Sequence, residues 1–286
     1  MKNKKTNTLM ASPYLVWSIG FIIIPLLMVF YYGLTDKNGQ FTLNNIVAIT
    51  DSINLKALGL SLLLSLISTI VCILLAYPLA MILCRTKIKA DKFIVFIFIL
   101  PMWMNFLLRT LAWQTLLENS GVINTLIESF NGLLDKTFLE GLDIPLLQII
   151  NTPYAIVFGM VYNFLPFMIL PLYNVLSKID HNVINAAKDL GANPIQTFLR
   201  VTLPLSVPGI ISGITMVFVP ALTTFAISFL LGGSKILLIG NLIEQEFTTA
   251  GNWHLGSGLS MVLMIFIIVS MIFTAIFDKD GEGTAL

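Results

Sequence analysis

Six long apolar runs constrain this chain more than any other feature of its sequence. They cover residues 13–33, 58–84, 93–117, 152–177, 207–232 and 255–277. The hydrocarbon core of a bilayer is about 30 Å thick, and an α-helix crosses it with about 20 apolar residues. Strands of a membrane barrel would instead alternate polar and apolar residues. The sequence therefore predicts an all-α, polytopic membrane protein with six transmembrane helices.

The composition agrees with this fold class and excludes several functions. Of the 286 residues, 57% are hydrophobic and only 11% are charged. Soluble domains carry about 25% charged residues. A soluble enzyme and a nucleic-acid-binding protein are therefore excluded, and membrane lipid is the expected surrounding of the chain.

The positions of the basic residues predict the orientation in the membrane. Lysine and arginine are concentrated in the N-terminal segment 1–12, in the loop 85–92 and in the loop 178–206. Loops on the cytoplasmic side of a membrane carry an excess of these residues. Both termini, residues 1–12 and 278–286, are therefore expected in the cytoplasm, together with the loop 178–206.

Two absences from the sequence limit the possible transport mechanisms. The six apolar runs contain no aspartate or glutamate, although ion-coupled transporters usually need such intramembrane acids. The chain also lacks the G-x-x-x-x-G-K-[ST] loop that holds nucleotide phosphates. It is therefore expected to be neither an ion-coupled carrier nor an enzyme that hydrolyses ATP, and no metal or other cofactor is expected on it.

The loop 178–206 is the least apolar part of the core, and it contains helix start and stop signals. Asn182 is a possible N-cap for a short helix that Gly191, in a left-handed conformation, would end. Asn193 and Pro194 would begin a second short helix, because proline is favoured at the first helical position. This second helix is expected to end near Pro204.

Such a pair of helices would form a knob on the surface of the protein. The small side chains of Ala186 and Ala187 are expected to face outward, which would let another protein approach closely. The alternative is an ordinary amphipathic loop that lies on the membrane surface.

Polar and aromatic side chains within the apolar runs are candidates for a substrate pathway. They are Tyr154, Phe158, Tyr162, Asn163, Thr224, Ser228, Trp103 and Trp113. Helix packing, interhelical hydrogen bonds and interfacial anchoring are the alternative roles for these residues. Arg109 is expected near the outer lipid headgroups, either snorkelling or in a structural ion pair.

A longer motif in the loop 178–206 resembles a known family. Ala186-Ala187-x-x-x-Gly191, followed by nine residues and Val201-x-Leu203-Pro204, is similar to the E-A-A-x-x-x-G-x₉-I-x-L-P signature of permease subunits of type I ABC importers. The glutamate of that signature is replaced by Asn185. The resemblance implies contact with an ATPase through the following residues: Asn185, Ala186, Ala187, Asp189, Gly191 and Pro204.

Several further motifs resemble the B-type permease subunit of spermidine/putrescine importers. They include Leu100-Pro101-Met102-Trp103, Leu165-Pro166-Phe167-Met168 and Leu238-Ile239-Gly240-Asn241. The resemblance implies a type I ABC importer permease domain over residues 57–275, preceded by an extra N-terminal transmembrane helix at 13–33. It also implies a multi-pass protein of the bacterial cytoplasmic (inner) membrane.

The same resemblance implies a set of partners. These are a second homologous permease chain, two copies of a cytoplasmic ABC ATPase that carry ATP and magnesium, and an extracytoplasmic substrate-binding protein. The chain would then form half of the translocation pathway for polyamines. The alternatives are a permease for another small solute, a stand-alone membrane carrier, and a structural membrane subunit without transport.

Overall fold

The computed structural model describes residues 13–85, 100–134 and 144–277. These residues form helices and turns, with one isolated antiparallel bridge between Thr35 and Phe41, so the predicted all-α class is confirmed. The terminal segments 1–12 and 278–286 and most of the basic loop 85–92 lie outside the described residues.

Most of the described residues belong to helices, several of which are long. The helices are α1 (Pro13–Gly33), α2 (Asn44–Val47), α3 (Ser52–Arg85), α4 (Phe106–Leu117), α5 (Val122–Leu134), α6 (Pro153–Leu176), α7 (His181–Asp189), α8 (Pro194–Thr223), α9 (Ala226–Gly232), α10 (Ile239–Thr248) and α11 (Trp253–Phe277). Within the described residues, α1, α3, α6, α8 and α11 are long and apolar enough to cross a membrane. The predicted run 93–117 is described only from residue 100 onward, as a 3₁₀ turn at Leu100–Trp103 followed by α4.

The helices are distributed over two compact units. The first unit contains the described residues up to Ala57 together with Leu242–Ile267. Within it, the amide of Asn45 donates to the backbone carbonyls of Gly33 and Thr35, at 3.2 and 2.9 Å. This side chain satisfies carbonyl groups that the end of α1 leaves without helical partners.

The second unit, Leu58–Asn241 with the described residues that follow Ile267, contains the main apolar core. In it, α6 packs along α8, and α9 packs against α6. The centre of this core consists of fully buried apolar side chains that include Met160, Leu172 and Val217. The lack of a side chain at Gly159 lets Leu231 of α9 approach the backbone of α6.

The structure corrects the prediction of one continuous helix over residues 207–232. Helix α8 ends at Thr223, Thr224 has an extended backbone, and α9 begins at Ala226. The buried amide of Asn241 stabilises this break, since it donates to the carbonyl of Phe225 at 3.0 Å. Non-helical backbone within an apolar region is tolerated where protein groups satisfy its hydrogen bonds.

The helix break also requires a glycine at position 240. A Cβ atom on Gly240 would lie 2.8 Å from the carbonyl oxygen of Thr223 and 2.9 Å from that of Thr224. These are backbone atoms, which cannot move aside as a flexible side chain can. We therefore expect Gly240→Ala to destabilise the protein by about 1–3 kcal/mol, as overpacking does.

The melting temperature of the purified protein in detergent tests this expectation. Gly59→Ala is the matched control, because nothing lies within 4 Å of a Cβ at that helical position. Gly240→Ala should melt at a lower temperature than Gly59→Ala. Equal melting temperatures would show that the backbone contact at the break does not constrain residue 240.

Candidate functional site

Helix α7 forms the first half of the loop 178–206, and its N-cap differs from the prediction. Asp180 has an extended backbone, and its carboxylate accepts from the backbone N–H of Asn182 at 2.9 Å. Asn182, the predicted cap, therefore lies inside the helix. The two residues are both good caps, and Asp180 takes the role because it is the one with non-helical backbone angles.

Gly191 ends α7 as predicted. It has a φ of +85°, its N–H donates to the carbonyl of Lys188 at 2.9 Å, and the N–H of Ala192 donates to that of Ala187 at 3.0 Å. This pair of bonds is the Schellman arrangement, which favours glycine because its left-handed residue has no Cβ to clash.

Helix α8 begins with a capping box. Asn193 accepts from the N–H of Gln196 at 2.7 Å, and Gln196 accepts from the N–H of Asn193 at 2.9 Å. Pro194 occupies the first helical position, as predicted. The loop therefore has a fixed shape, since local hydrogen bonds close both its turn and its second helix.

The predicted end of this second helix near Pro204 is wrong. Helix α8 instead continues from the loop into the long apolar stretch and ends at Thr223. A π turn at Phe198–Thr202 precedes Pro204, at the place where a proline ring would meet the carbonyl of the preceding turn of a regular α-helix. The loop is consequently a direct extension of a candidate membrane-spanning helix.

One face of α7 presents apolar side chains to solvent. Val183, Ala186 and Leu190 are exposed at helical spacing, and Leu190 is 89% exposed. We call these three residues the apical face. Ile195, in the first turn of α8, is 69% exposed, and Asp189 is also exposed.

The sequence analysis did not select Val183, Leu190 or Ile195. Two of them could have been found from their position, because Leu190 and Ile195 are apolar residues next to Gly191 and Pro194 in a polar segment. Of the two alanines expected to face outward, Ala186 is exposed, whereas Ala187 is half-buried.

The opposite face of α7 borders a cavity of about 420 Å³. His181, Asn185 and Lys188 line this cavity. Asn185 therefore lies on the face of α7 turned away from the apical face, beside the cavity.

Arg109 is buried, which excludes snorkelling to the headgroups, the first of its two predicted roles. It is 8% exposed, and its Nε donates to Oδ1 of Asn163 at 2.9 Å. Asn163 in turn donates to the carbonyl of Gly159 at 2.8 Å. A buried charged group needs hydrogen-bond partners. Asn163 on α6 is such a partner for Arg109 on α4, so this bond links the two helices.

Three of the predicted pathway aromatics form a cluster beside Arg109. The ring of Trp113 meets those of Phe158 and Tyr162 edge-on, with centroids 4.7 and 5.1 Å apart. The guanidinium carbon of Arg109 lies 5.6 Å from the centroid of the Tyr162 ring. All three aromatic side chains are half-buried, so the cluster keeps one accessible side.

Two other predicted pathway residues are more exposed than this cluster. Tyr154 is 76% exposed, and Trp103 is 73% exposed. The ring contacts that join Trp113, Phe158 and Tyr162 do not include either of them.

Thr224 and Ser228 do not share a face of one helix, because the break between α8 and α9 separates them. Ser228 is fully buried, and its one hydroxyl proton is shared between Oδ1 of Asn241 and the carbonyl of Phe225, which both lie within hydrogen-bond distance. This contact gives Ser228 a role in holding the break. Asn241 was not selected from the sequence as a site residue, since its partners Ser228 and Phe225 lie more than ten residues away.

Comparison with known proteins identifies the family of the chain. The profile of the family described as "Binding-protein-dependent transport system inner membrane component" matches residues 73–280. The spermidine/putrescine transport system permease protein PotB of Haemophilus influenzae is 36% identical over 277 residues, which cover 93% of each chain. PotB of Escherichia coli K12 is 35% identical over 255 residues, which cover 87% of this chain and 89% of that protein.

Solved structures share the fold at low sequence identity. A bacterial ABC transporter involved in the import of the acidic polysaccharide alginate has a chain that aligns with a TM-score of 0.79 and 17% identity, over 99% of this chain and 98% of that chain. Another structure of a bacterial alginate ABC transporter, in complex with an alginate pentasaccharide-bound periplasmic protein, aligns with a TM-score of 0.77 and 16% identity, over 98% and 96% of the two chains. Because of the family match over residues 73–280 and the identity to PotB, this chain belongs to the inner membrane components of binding-protein-dependent transport systems, the non-catalytic permease subunits of ABC importers.

Proposed function

We propose that this chain forms half of the pathway through which an ATP-driven importer moves a polyamine, spermidine or putrescine. The observation that carries the proposal is the similarity to PotB, which extends over 93% of both chains. The alginate transporters share the fold at 17% identity or less, so they carry no argument about the substrate.

The complete importer is proposed to contain a second homologous permease chain, two copies of a cytoplasmic ABC ATPase and an extracytoplasmic binding protein. The apical face supports the contact with the ATPase, because exposed apolar side chains on a fixed protrusion mark protein interaction sites. Asn185, Ala187, Asp189, Gly191 and Pro204 belong to the same proposed contact, and Gly191 also ends the helix that presents Ala186.

The orientation of the chain follows from the same proposal. Both termini and the loop 178–206 lie in the cytoplasm, in agreement with the distribution of lysine and arginine. The permease domain covers about residues 57–275, and the helix at 13–33 precedes it.

The aromatic cluster is the proposed polyamine contact of this chain. Each ammonium group of a polyamine gains about 0.5–2 kcal/mol over an aromatic face, depending on desolvation. Tyr162, Phe158 and Trp113 offer such faces near Asn163, and Tyr154, Trp103 and Thr224 are secondary candidates. Ser228 is occupied by its bond to Asn241.

A permease for another small solute is the second candidate function. The observation that favours it is the Arg109 guanidinium beside the Tyr162 ring, because a fixed cation repels a cationic substrate. The uptake experiment below distinguishes the two candidates.

We expect Tyr162→Ala to slow polyamine uptake about threefold to tenfold, as the loss of one desolvated cation–π contact would. The measurement is uptake of labelled spermidine and putrescine by liposomes that contain the assembled importer and internal ATP. Leu165→Ala is the control, since it truncates a half-buried apolar side chain of the same helix.

Equal uptake by Tyr162→Ala and Leu165→Ala would show that Tyr162 does not contact the substrate. If the unmodified importer takes up neither polyamine but does take up another solute, the substrate assignment is wrong and the second candidate replaces it.

A further inference from the structure

The cavity behind α7 lies where two long apolar helices end. Met81 and Cys84, in the last two turns of α3, line it, and so does Leu176, the last residue of α6. Both helices are long enough to span a membrane, and lipid headgroups lie at the ends of such helices. Since the 24 residues of α6 match the thickness of a bilayer, the end of α6 places the cavity close to the headgroup layer.

One of the residues that line this cavity, Thr197, carries a buried hydroxyl group with no partner among the described residues. Thr197 is 5% exposed, and its Oγ1 has no hydrogen-bond partner within the part of the chain that the structure describes. Buried polar groups in native proteins are nearly always hydrogen-bonded. The Thr197 hydroxyl thus still has a proton to donate.

Two basic residues lie at the cavity. Lys188 and His181 line it, and neither side chain has an ion pair or hydrogen bond to any other described residue. No carboxylate is found among the described residues that line it. Asn185 occupies the position where the resembling family signature has glutamate, so no acid neutralises Lys188 from this position.

The rest of the lining is apolar apart from Thr202. Met81, Leu176 and Phe198 form part of this wall, and Phe198 is held by an edge-on contact with the Tyr77 ring at 5.5 Å. A free inorganic anion would leave this wall without a partner. A phosphate that carries a glycerol backbone and acyl chains would contact both the polar and the apolar parts.

We infer that the cavity binds the headgroup phosphate of an anionic phospholipid. Lys188 and His181 attract the phosphate, Thr197 donates to one of its oxygens, and the apolar wall contacts the lipid backbone. Basic pockets between membrane helices bind anionic headgroups in this way. A lipid held here would fix α7 against the ends of α3 and α6.

The test is retention of phosphatidylglycerol and of phosphatidylcholine by the purified full-length protein, measured by native mass spectrometry. Lys188→Gln should lower phosphatidylglycerol retention about fivefold, as loss of one basic contact would. Lys178→Gln is the matched control, because it removes the same charge from the same loop at an exposed position that does not line the cavity. It should retain the lipid like the unmodified protein.

Thr197→Val provides a second arm that does not depend on charge. It replaces a hydroxyl without a partner by a methyl group of the same size, so the protein should remain folded and bind less phosphatidylglycerol. Competition with inorganic phosphate distinguishes a site for a phospholipid headgroup from a site for a free phosphate ion.

The inference requires that the protein retain more phosphatidylglycerol than phosphatidylcholine. It also requires that inorganic phosphate displace phosphatidylglycerol poorly. Equal retention of both lipids, or equal losses in Lys188→Gln and Lys178→Gln, would overturn it. Displacement by low concentrations of inorganic phosphate would show a free-anion site in place of a lipid site. These outcomes do not involve ATP or polyamine, so they are independent of the proposed transport function.

Discussion

Replacement of Leu190 by aspartate is expected to leave the chain folded and to release the ATPase that the importer carries. Leu190 is 89% exposed, so an acidic side chain there disturbs no internal packing. A hot-spot residue at the centre of an interface contributes about 2 kcal/mol or more to binding, and we assign this role to Leu190. Aspartate would also have to lose its water on docking. Binding of the ATPase should therefore weaken about thirtyfold or more.

The measurement is the amount of ATPase that co-purifies with an affinity-tagged permease. Asn193→Asp is the control, because it adds the same charge near Ile195 and aspartate is as good an N-cap as asparagine. This control should retain the ATPase. If Leu190→Asp also retains it and transports at the normal rate, the apical face is not the docking surface.

Replacement of Asn163 by leucine is expected to destabilise the protein strongly. Asn163 Oδ1 accepts from the buried Arg109 side chain at 2.9 Å, and leucine offers no acceptor. Loss of a hydrogen bond to a buried charged group costs about 2–3 kcal/mol. The variant should therefore melt at a lower temperature and yield less folded protein.

Asn163→Asp tests whether the loss of stability comes from the missing hydrogen-bond acceptor, because aspartate has the shape of asparagine and keeps an acceptor. Its carboxylate keeps an acceptor beside Arg109 and adds an opposite charge, so this variant should be more stable than Asn163→Leu. The measurement is the melting temperature of each purified variant in detergent. If the leucine variant is as stable as the unmodified protein, the bond between Arg109 and Asn163 does not hold α4 to α6.

Features with local causes could be predicted from the sequence. The apolar runs indicate helices because only a helix of about 20 residues satisfies its own backbone in a bilayer. Gly191 and Pro194 mark the end of α7 and the start of α8, because glycine tolerates the left-handed region and proline fits the first helical turn. The structure confirms both positions.

Features with distant causes could not be predicted. The break at Thr224 depends on Asn241, which lies beyond α9 and reaches back to Phe225. Arg109 is buried because Asn163, 54 residues along the chain, faces it. The exposure of Leu190 likewise depends on how α7 packs, since its sequence neighbours suit an exposed or a buried leucine equally.

The central claim is that this chain is the non-catalytic permease of a polyamine importer whose ATP hydrolysis takes place on a separate chain. The most direct measurement is ATP hydrolysis in liposomes, by the purified chain alone and by the importer assembled with its co-purifying partners. The chain alone should show no hydrolysis, and the assembled importer should hydrolyse ATP faster when spermidine or putrescine is supplied with the binding protein. Hydrolysis by the isolated chain, or an assembled importer that responds to neither polyamine, would contradict the claim.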